Sequence, residues 1–264
     1  MDPVLWAISL IESTSHSVIV QAFLAACIGF VLTVIGALPA LLGVKWSNAI
    51  IPYGMGFAAG VMISASFTSL LVPAVELGGL FPVVVGFLLG GIVVYVVDKV
   101  LPHEHLVKGY EGPEKLVRKL RATWLLALAI IIHNIPEGAA VGAAVAESLR
   151  KGVVLAVAIG VQNIPEGLAV SLPLVSAGKR VRQALLIAVL SGVVEPLASV
   201  GAATLATMSR SILPYLLSFA AGAMIYVVSH EVIPETHSER REIRATFALL
   251  VGLVAMFALD AYYG

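Results

Sequence analysis

Charged residues are scarce in this chain: Asp, Glu, Lys and Arg make up 12% of its 264 residues, about half of the roughly 25% that soluble domains carry. Hydrophobic residues fill the difference at 59%, and the mean hydropathy is +1.01. That excludes a soluble core of the usual composition, roughly 45–50% apolar. Formal net charge is zero, and the basic residues form no long run along an amphipathic surface, which excludes nucleic acid as a partner. Cysteine is reduced to Cys27. One thiol makes neither an intrachain disulfide nor a thiolate cluster, so any metal must be held by oxygen and nitrogen. The opening residues, MDPVLWAISLIES, lack a basic region and a long apolar stretch. They do not read as a cleaved signal, and the first span is expected to act as its own insertion signal.

What the chain has is long apolar segments. A helix crosses the hydrocarbon core with roughly 20 apolar residues, and breaks at charges, Pro and Gly leave segments near 17–42, 51–76, 80–102, 122–147, 152–176, 183–206, 212–236 and 243–262. The expectation is one all-α integral membrane domain over residues 1–264, with eight transmembrane helices and a loop at 103–121. Trp46, Trp124, Tyr262 and Tyr263 fall near segment ends, where amphipathic rings favour the headgroup layer.

Eight spans put the loops after spans 1, 3, 5 and 7 on one side. They hold Lys45, the Lys99–Arg121 cluster, Lys179, Arg180, Arg182, Arg240, Arg241 and Arg244, whereas the other side holds only Arg150, Lys151 and Arg210. The positive-inside bias places the first set in the cytoplasm, with both termini extracellular and the protein a multi-pass component of the cell membrane.

Two stretches repeat. His133-Asn134-Ile135-Pro136-Glu137-Gly138 is matched by Gln162-Asn163-Ile164-Pro165-Glu166-Gly167. Pro52-Tyr53 followed by Phe57-Ala58-Ala59-Gly60 is matched by Pro214-Tyr215 followed by Phe219-Ala220-Ala221-Gly222, at a constant offset of 162. Spans 4 and 5 are adjacent and spans 2 and 7 are five apart, so each matching pair crosses in opposite directions. Inverted repeats of this kind are a transporter signature, because they allow outward- and inward-open forms of similar energy.

Ionisable groups inside a span cost on the order of 2.5–3.5 kcal/mol each and mark function by default. Here they gather at one depth: His133, Asn134 and Glu137 in span 4, Gln162, Asn163 and Glu166 in span 5, and Glu195 in span 6. Three carboxylates without a basic neighbour call for a cation. Residues four apart share a helix face, so His133 with Glu137 and Gln162 with Glu166 can converge on one ion, while Asn134 and Asn163 point about 100° away toward a second. Pro136 and Pro165 remove backbone donors and free the carbonyls of Ile132 and Val161 as further oxygens. Imidazole with carboxylates and amide oxygens suits Zn2+, the favourite by availability, or else Mn2+, Co2+, Cd2+ or Fe2+, as transported substrate and not as a resident cofactor. His230, Glu231 and Glu235, with His237, form a candidate cytoplasmic exit site. His103, Glu104 and His105 fit a regulatory metal site or a solvated loop equally.

On these residues the chain resembles the ZIP (Zrt-, Irt-like protein) family of metal transporters, within it the prokaryotic GufA-like members. The carriers of the likeness are the two six-residue motifs, Glu195 and His230-Glu231, and it extends over nearly the whole chain. The resemblance implies a 3+2+3 inverted-repeat arrangement with both termini outside. It also implies a binuclear site: His133, Glu137, Gln162 and Glu166 around one metal, Asn134, Asn163 and Glu195 around the other, with Glu166 bridging and flow toward the cytoplasm by alternating access. Gln162 stands where many relatives place histidine, which leads us to expect broader metal selectivity. The same ligands would serve a metal channel or a proton-coupled metal exporter. A distant alternative is a membrane-embedded metallohydrolase, but His230-Glu231 lacks the second histidine of an HExxH motif and no enzyme signature appears. The partners expected are divalent metal ions and the lipid bilayer, with a homodimer left open.

Overall fold

The computed structural model describes residues 2–42, 47–101, 103–105, 109–111, 122–176, 178–236 and 242–263. The chain opens with a short helix, α1 (Pro3–Thr14), ahead of the segment expected as span 1. Asp2 caps it by accepting from the amides of Val4 and Leu5, and Pro3 occupies the first turn, where a missing N–H costs nothing.

Next come α2 (Val18–Ala37), α3 (Ser47–Ala65), a π-helical stretch Ser66–Leu71, α4 (Val72–Gly78) and α5 (Leu80–Val100). Gly79, at φ +73°, makes the sharp joint between α4 and α5, a conformation glycine adopts without penalty. The segment expected as a plain loop begins with a small hairpin. Strand β1 (His103–His105) pairs antiparallel with β2 (Gly109–Glu111), His103 opposite Glu111 and His105 opposite Gly109. After it come α6 (Ala122–Glu147), α7 (Leu149–Ser176), α8 (Val181–Gly192), α9 (Val194–Met208), α10 (Leu213–Val227), a second π-helical stretch Val228–Val232, α11 (Ile233–Thr236) and α12 (Glu242–Tyr263). His237 lies outside the described residues.

Among the described residues seven helices are long and apolar enough to cross a membrane: Val18–Leu41, Ile51–Gly78, Leu80–Val100, Leu149–Leu172, Val181–Met208, Arg210–Val232 and Glu242–Tyr263. The segment expected as span 4 is α6, a continuous helix of 26 residues. The protein is an all-α, multi-pass membrane protein. α5 and α12 carry much of the outward apolar surface, including Phe81, Leu88, Phe247 and Val251, while α3, α7 and α10 are largely enclosed.

α2 packs on α7, α6 on α9, α3 on α12 and α5 on α10. The last two pairs are built alike. A Cβ at Gly60 would overlap the Leu249 carbonyl oxygen and one at Gly252 that of Phe57; a Cβ at Gly222 would overlap the Phe87 carbonyl oxygen and one at Gly90 that of Phe219. Each residue of the second set stands 162 positions from its counterpart in the first, so the repeat seen in α3 and α10 extends to α5 and α12. Backbone-to-backbone approach of this kind is how apolar helices associate where lipid supplies no hydrophobic drive.

The π-helical stretches follow the same rule. The Val72 amide bonds the Phe67 carbonyl and the Ile233 amide that of Val228, each a five-residue step. Pro73 and Pro234 come directly afterward. A proline lacks its own N–H and its ring crowds the carbonyl four residues back; a wider turn relieves that crowding, and π-bulges are frequent at functional positions.

Candidate functional site

The two six-residue motifs lie in the middle of α6 and α7, and the packing of their glycines sets the site. A Cβ at Gly138 would overlap the carbonyl oxygen of Glu195, and one at Gly167 that of Thr33. Thr33 and Glu195 are themselves 162 residues apart. Each motif glycine therefore seats its helix against the equivalent point of the other half of the chain, α6 on α9 and α7 on α2.

From these contacts the polar side chains fall into two groups. Gln162 Nε2 donates to Glu137 Oε1 at 2.5 Å. Next to it in sequence but turned to another face, Asn163 Nδ2 donates to Glu195 Oε1 at 2.7 Å. Thr33 Oγ1 donates to the Gly29 carbonyl at 3.0 Å and approaches Glu195 Oε1 at 3.5 Å, while Asn134 Nδ2 donates to the Ser191 carbonyl at 2.9 Å. Gly29 completes the second group: a Cβ there would overlap Glu195 Oε2 and stand 3.3 Å from Asn163 Nδ2. Glu166, one helical turn after Gln162, is half-buried between the groups. It repels both Glu137 and Glu195 and is within the field of His133.

Asn134, Glu137, Gln162, Asn163 and Glu195 are buried to 1% exposure or less, whereas the His133 side chain keeps 16%. His133 and Glu166 thus form the open edge of an enclosed cluster. Among the described residues no Lys or Arg pairs with the three carboxylates. Four buried oxygens accept no hydrogen bond: Asn134 Oδ1, Glu137 Oε2, Gln162 Oε1 and Asn163 Oδ1. Leaving a buried acceptor unsatisfied costs about 1–3 kcal/mol, so four at one depth need a compensating ligand.

Among the described residues no three His, Cys, Asp or Glu side chains converge as a metal-holding group by themselves. The donor set is completed by the amide oxygens of Asn134, Gln162 and Asn163. The expected exit residues are divided. Glu231, buried, contacts His133 Nε2 and so joins the central cluster. His230 turns toward α5 and stacks at 5.2 Å against the Tyr226 ring. The side chains of Glu235, His103 and His105 lie outside the described set.

The sequence reading missed Thr33, Gly29 and the Ser191 carbonyl. Thr33 had a signal, standing 162 residues before Glu195, the offset of the longer repeat; the other two depend on helix packing.

The family model described as ZIP zinc transporter matches residues 103–260. The chain is 41% identical to the zinc transporter ZIPB of Bordetella bronchiseptica, across 92% of this chain and 81% of that protein. It is 37% identical to the zinc transporter GufA of Myxococcus xanthus, across 88% and 94%, and 35% identical to human zinc transporter ZIP11, across 94% and 99%. With more than half of its length matched by the family model and relatives of this identity along nearly its whole extent, the chain belongs to the ZIP zinc transporter family.

Proposed function

We propose that the protein carries divalent metal ions, zinc foremost and Cd2+, Mn2+, Fe2+ or Co2+ as competitors, across the membrane toward the cytoplasm by alternating access. The observation that carries this reading is the set of four buried, unbonded oxygens on α6 and α7 beside three carboxylates that no described cation neutralises. A divalent ion meets both needs at once. His133, Glu137, Gln162 and Glu166 hold one metal, Asn134, Asn163 and Glu195 the second, and Glu166, facing both groups, bridges them. Glu166 and His133 receive the ion at the open edge. His133 is engaged with Glu231 in this structure, so an arriving metal competes with Glu231 for the imidazole, and Glu231 is the next oxygen along the route to the cytoplasm.

In this reading eight helices span the bilayer as 3+2+3, both termini outside and the hairpin after α5 inside, within a single domain. The glycine contacts and π-helical stretches recurring at offsets of 162 and 161 support the two outer groups of three. The unit formed by α2, α6, α7, α8 and α9 moves against α3, α5, α10 and α12, the metal travelling with the first. A homodimer would use the outward apolar faces and leave the site, which lies within one chain, intact. No enzymatic step is required of any residue.

The test is zinc and cadmium influx into proteoliposomes, metal supplied on the extracellular face, for wild type and Glu166→Ala. We expect saturable influx in the wild type and loss of it in the variant. Equal influx in both would mean the cluster is structural and the reading is wrong.

A further inference from the structure

Away from the metal cluster, α5 and α10 enclose a groove of about 520 Å³ whose lining is almost wholly apolar, within the roughly 300–1,000 Å³ range of small-molecule sites. It exists because Gly91 has no side chain: a Cβ there would meet only the Gly222 carbonyl oxygen, at an ordinary 3.8 Å. The rim residues Leu88 and Tyr95 are exposed, so the groove opens sideways into hydrocarbon and not into the metal route. Its α5 wall runs from Phe87 to Tyr95, eight helical steps or about 12 Å. That is close to half of the roughly 30 Å hydrocarbon core, one leaflet's depth.

One end of the groove is polar. Ser229, exposed, and His230 line it there. One turn beyond Tyr95, the Lys99 ammonium sits 5.8 Å from that ring's centroid. Lys99 is exposed, and no carboxylate pairs with it among the described residues. A lysine that lays its stem along an aromatic ring and lifts its charge toward the interface is placed to meet an anionic headgroup. An apolar trough of one-leaflet length, hydroxyl and imidazole at its mouth and an unpaired cation above describe one class of ligand.

We propose that this groove is a binding site for an anionic glycerophospholipid, one acyl chain between α5 and α10 and the phosphate on Lys99. Its assignment to the cytoplasmic leaflet rests on the orientation proposed above. The site has a bearing on transport because His230, at its mouth, is bonded in sequence to Glu231, the partner of His133. An occupied groove fixes the α10 turn from which Glu231 reaches the metal cluster.

The test is native mass spectrometry of the full-length protein in detergent, titrated with phosphatidylglycerol or phosphatidylcholine in the absence of metal. Wild type is expected to retain one phosphatidylglycerol, about fivefold more tightly than phosphatidylcholine, the equivalent of roughly 1 kcal/mol for one basic residue at the surface. Lys99→Gln should erase the preference. Gly91→Leu, which the backbone has room for, should abolish retention of both lipids while leaving the thermal midpoint unchanged. Wild-type retention in Gly91→Leu would overturn the proposal, as would a peak at twice the chain mass that this variant removes, which would assign the groove to a second copy. Glu166→Ala with intact lipid retention keeps failure of the transport reading separate from failure of this one.

Discussion

Gly29→Ala tests the second half of the metal cluster without altering any proposed ligand. The added methyl would overlap Glu195 Oε2 and sit 3.3 Å from Asn163 Nδ2, so the carboxylate must swing away from the amide that now donates to it at 2.7 Å. Gly138 presses α6 onto the Glu195 backbone, which leaves the side chain, and not the helix, to give way. Overpacking of this kind costs about 1–3 kcal/mol. Levied on the ion-holding conformation of Glu195, that corresponds to metal affinity about five- to 150-fold weaker. The assay is the concentration dependence of zinc influx in proteoliposomes, with Gly201→Ala as control, since nothing lies within 4 Å of a Cβ at that position. The expected result is a raised half-saturation concentration for Gly29→Ala alone. Indistinguishable curves for wild type and both variants would refute the placement of Glu195 on the metal route.

Two further outcomes follow from the packing and the termini. Gly222→Ala drives a methyl into the Phe87 carbonyl, which no side-chain rotation relieves, and should lower the thermal midpoint in detergent by several degrees, whereas Gly91→Ala should not; equal midpoints would contradict the close approach of α5 and α10. Asp2 accepts a hydrogen bond from the Tyr263 hydroxyl, which with the capped amides of Val4 and Leu5 holds its carboxyl below the ordinary 3.8. Because the folded value is depressed, the tie between α1 and the end of α12 is fully present above about pH 3.8 and is lost as pH falls through the lowered value. Tyr263→Phe, which removes the donor and leaves the Asp2 cap intact, should exchange the α1 amides faster than the wild type at neutral pH; equal rates would show that the tie does not hold the helix.

The helical class and the membrane setting were legible because they rest on local composition, which the bilayer enforces: a segment such as 80–102 has no other way to satisfy its backbone. The central polar residues were legible for the opposite reason, since Glu137, Glu166 and Glu195 are out of place in their surroundings and two of them sit in a repeated motif. What sequence could not supply was contact between distant spans. The pairing of His133 with Glu231 depends on how α6 leans on the π-helical stretch after α10, and no pattern of apolar residues encodes that angle. α1 was missed although Asp2-Pro3 is a start signal, because its apolar stretch is too short to register as a span. The hairpin at His103–His105 is a short pairing in a polar stretch where alternation is too brief to register.

Each half of the chain places a π-helical turn before a proline, yet the residues standing in the two turns differ. In the orientation proposed above, the first turn, which holds Thr68 and Ser69, lies toward the outside and the second, which holds His230 and Glu231, toward the cytoplasm. Two turns of one construction thus carry unequal chemistry, neutral hydroxyls in one and imidazole with carboxylate in the other. On the alternating-access reading proposed above, those four side chains bias which of the two forms the empty protein prefers while the metal gradient sets the direction of net flow, and exchanging the pairs between the halves is the alteration that would shift that preference to the other face.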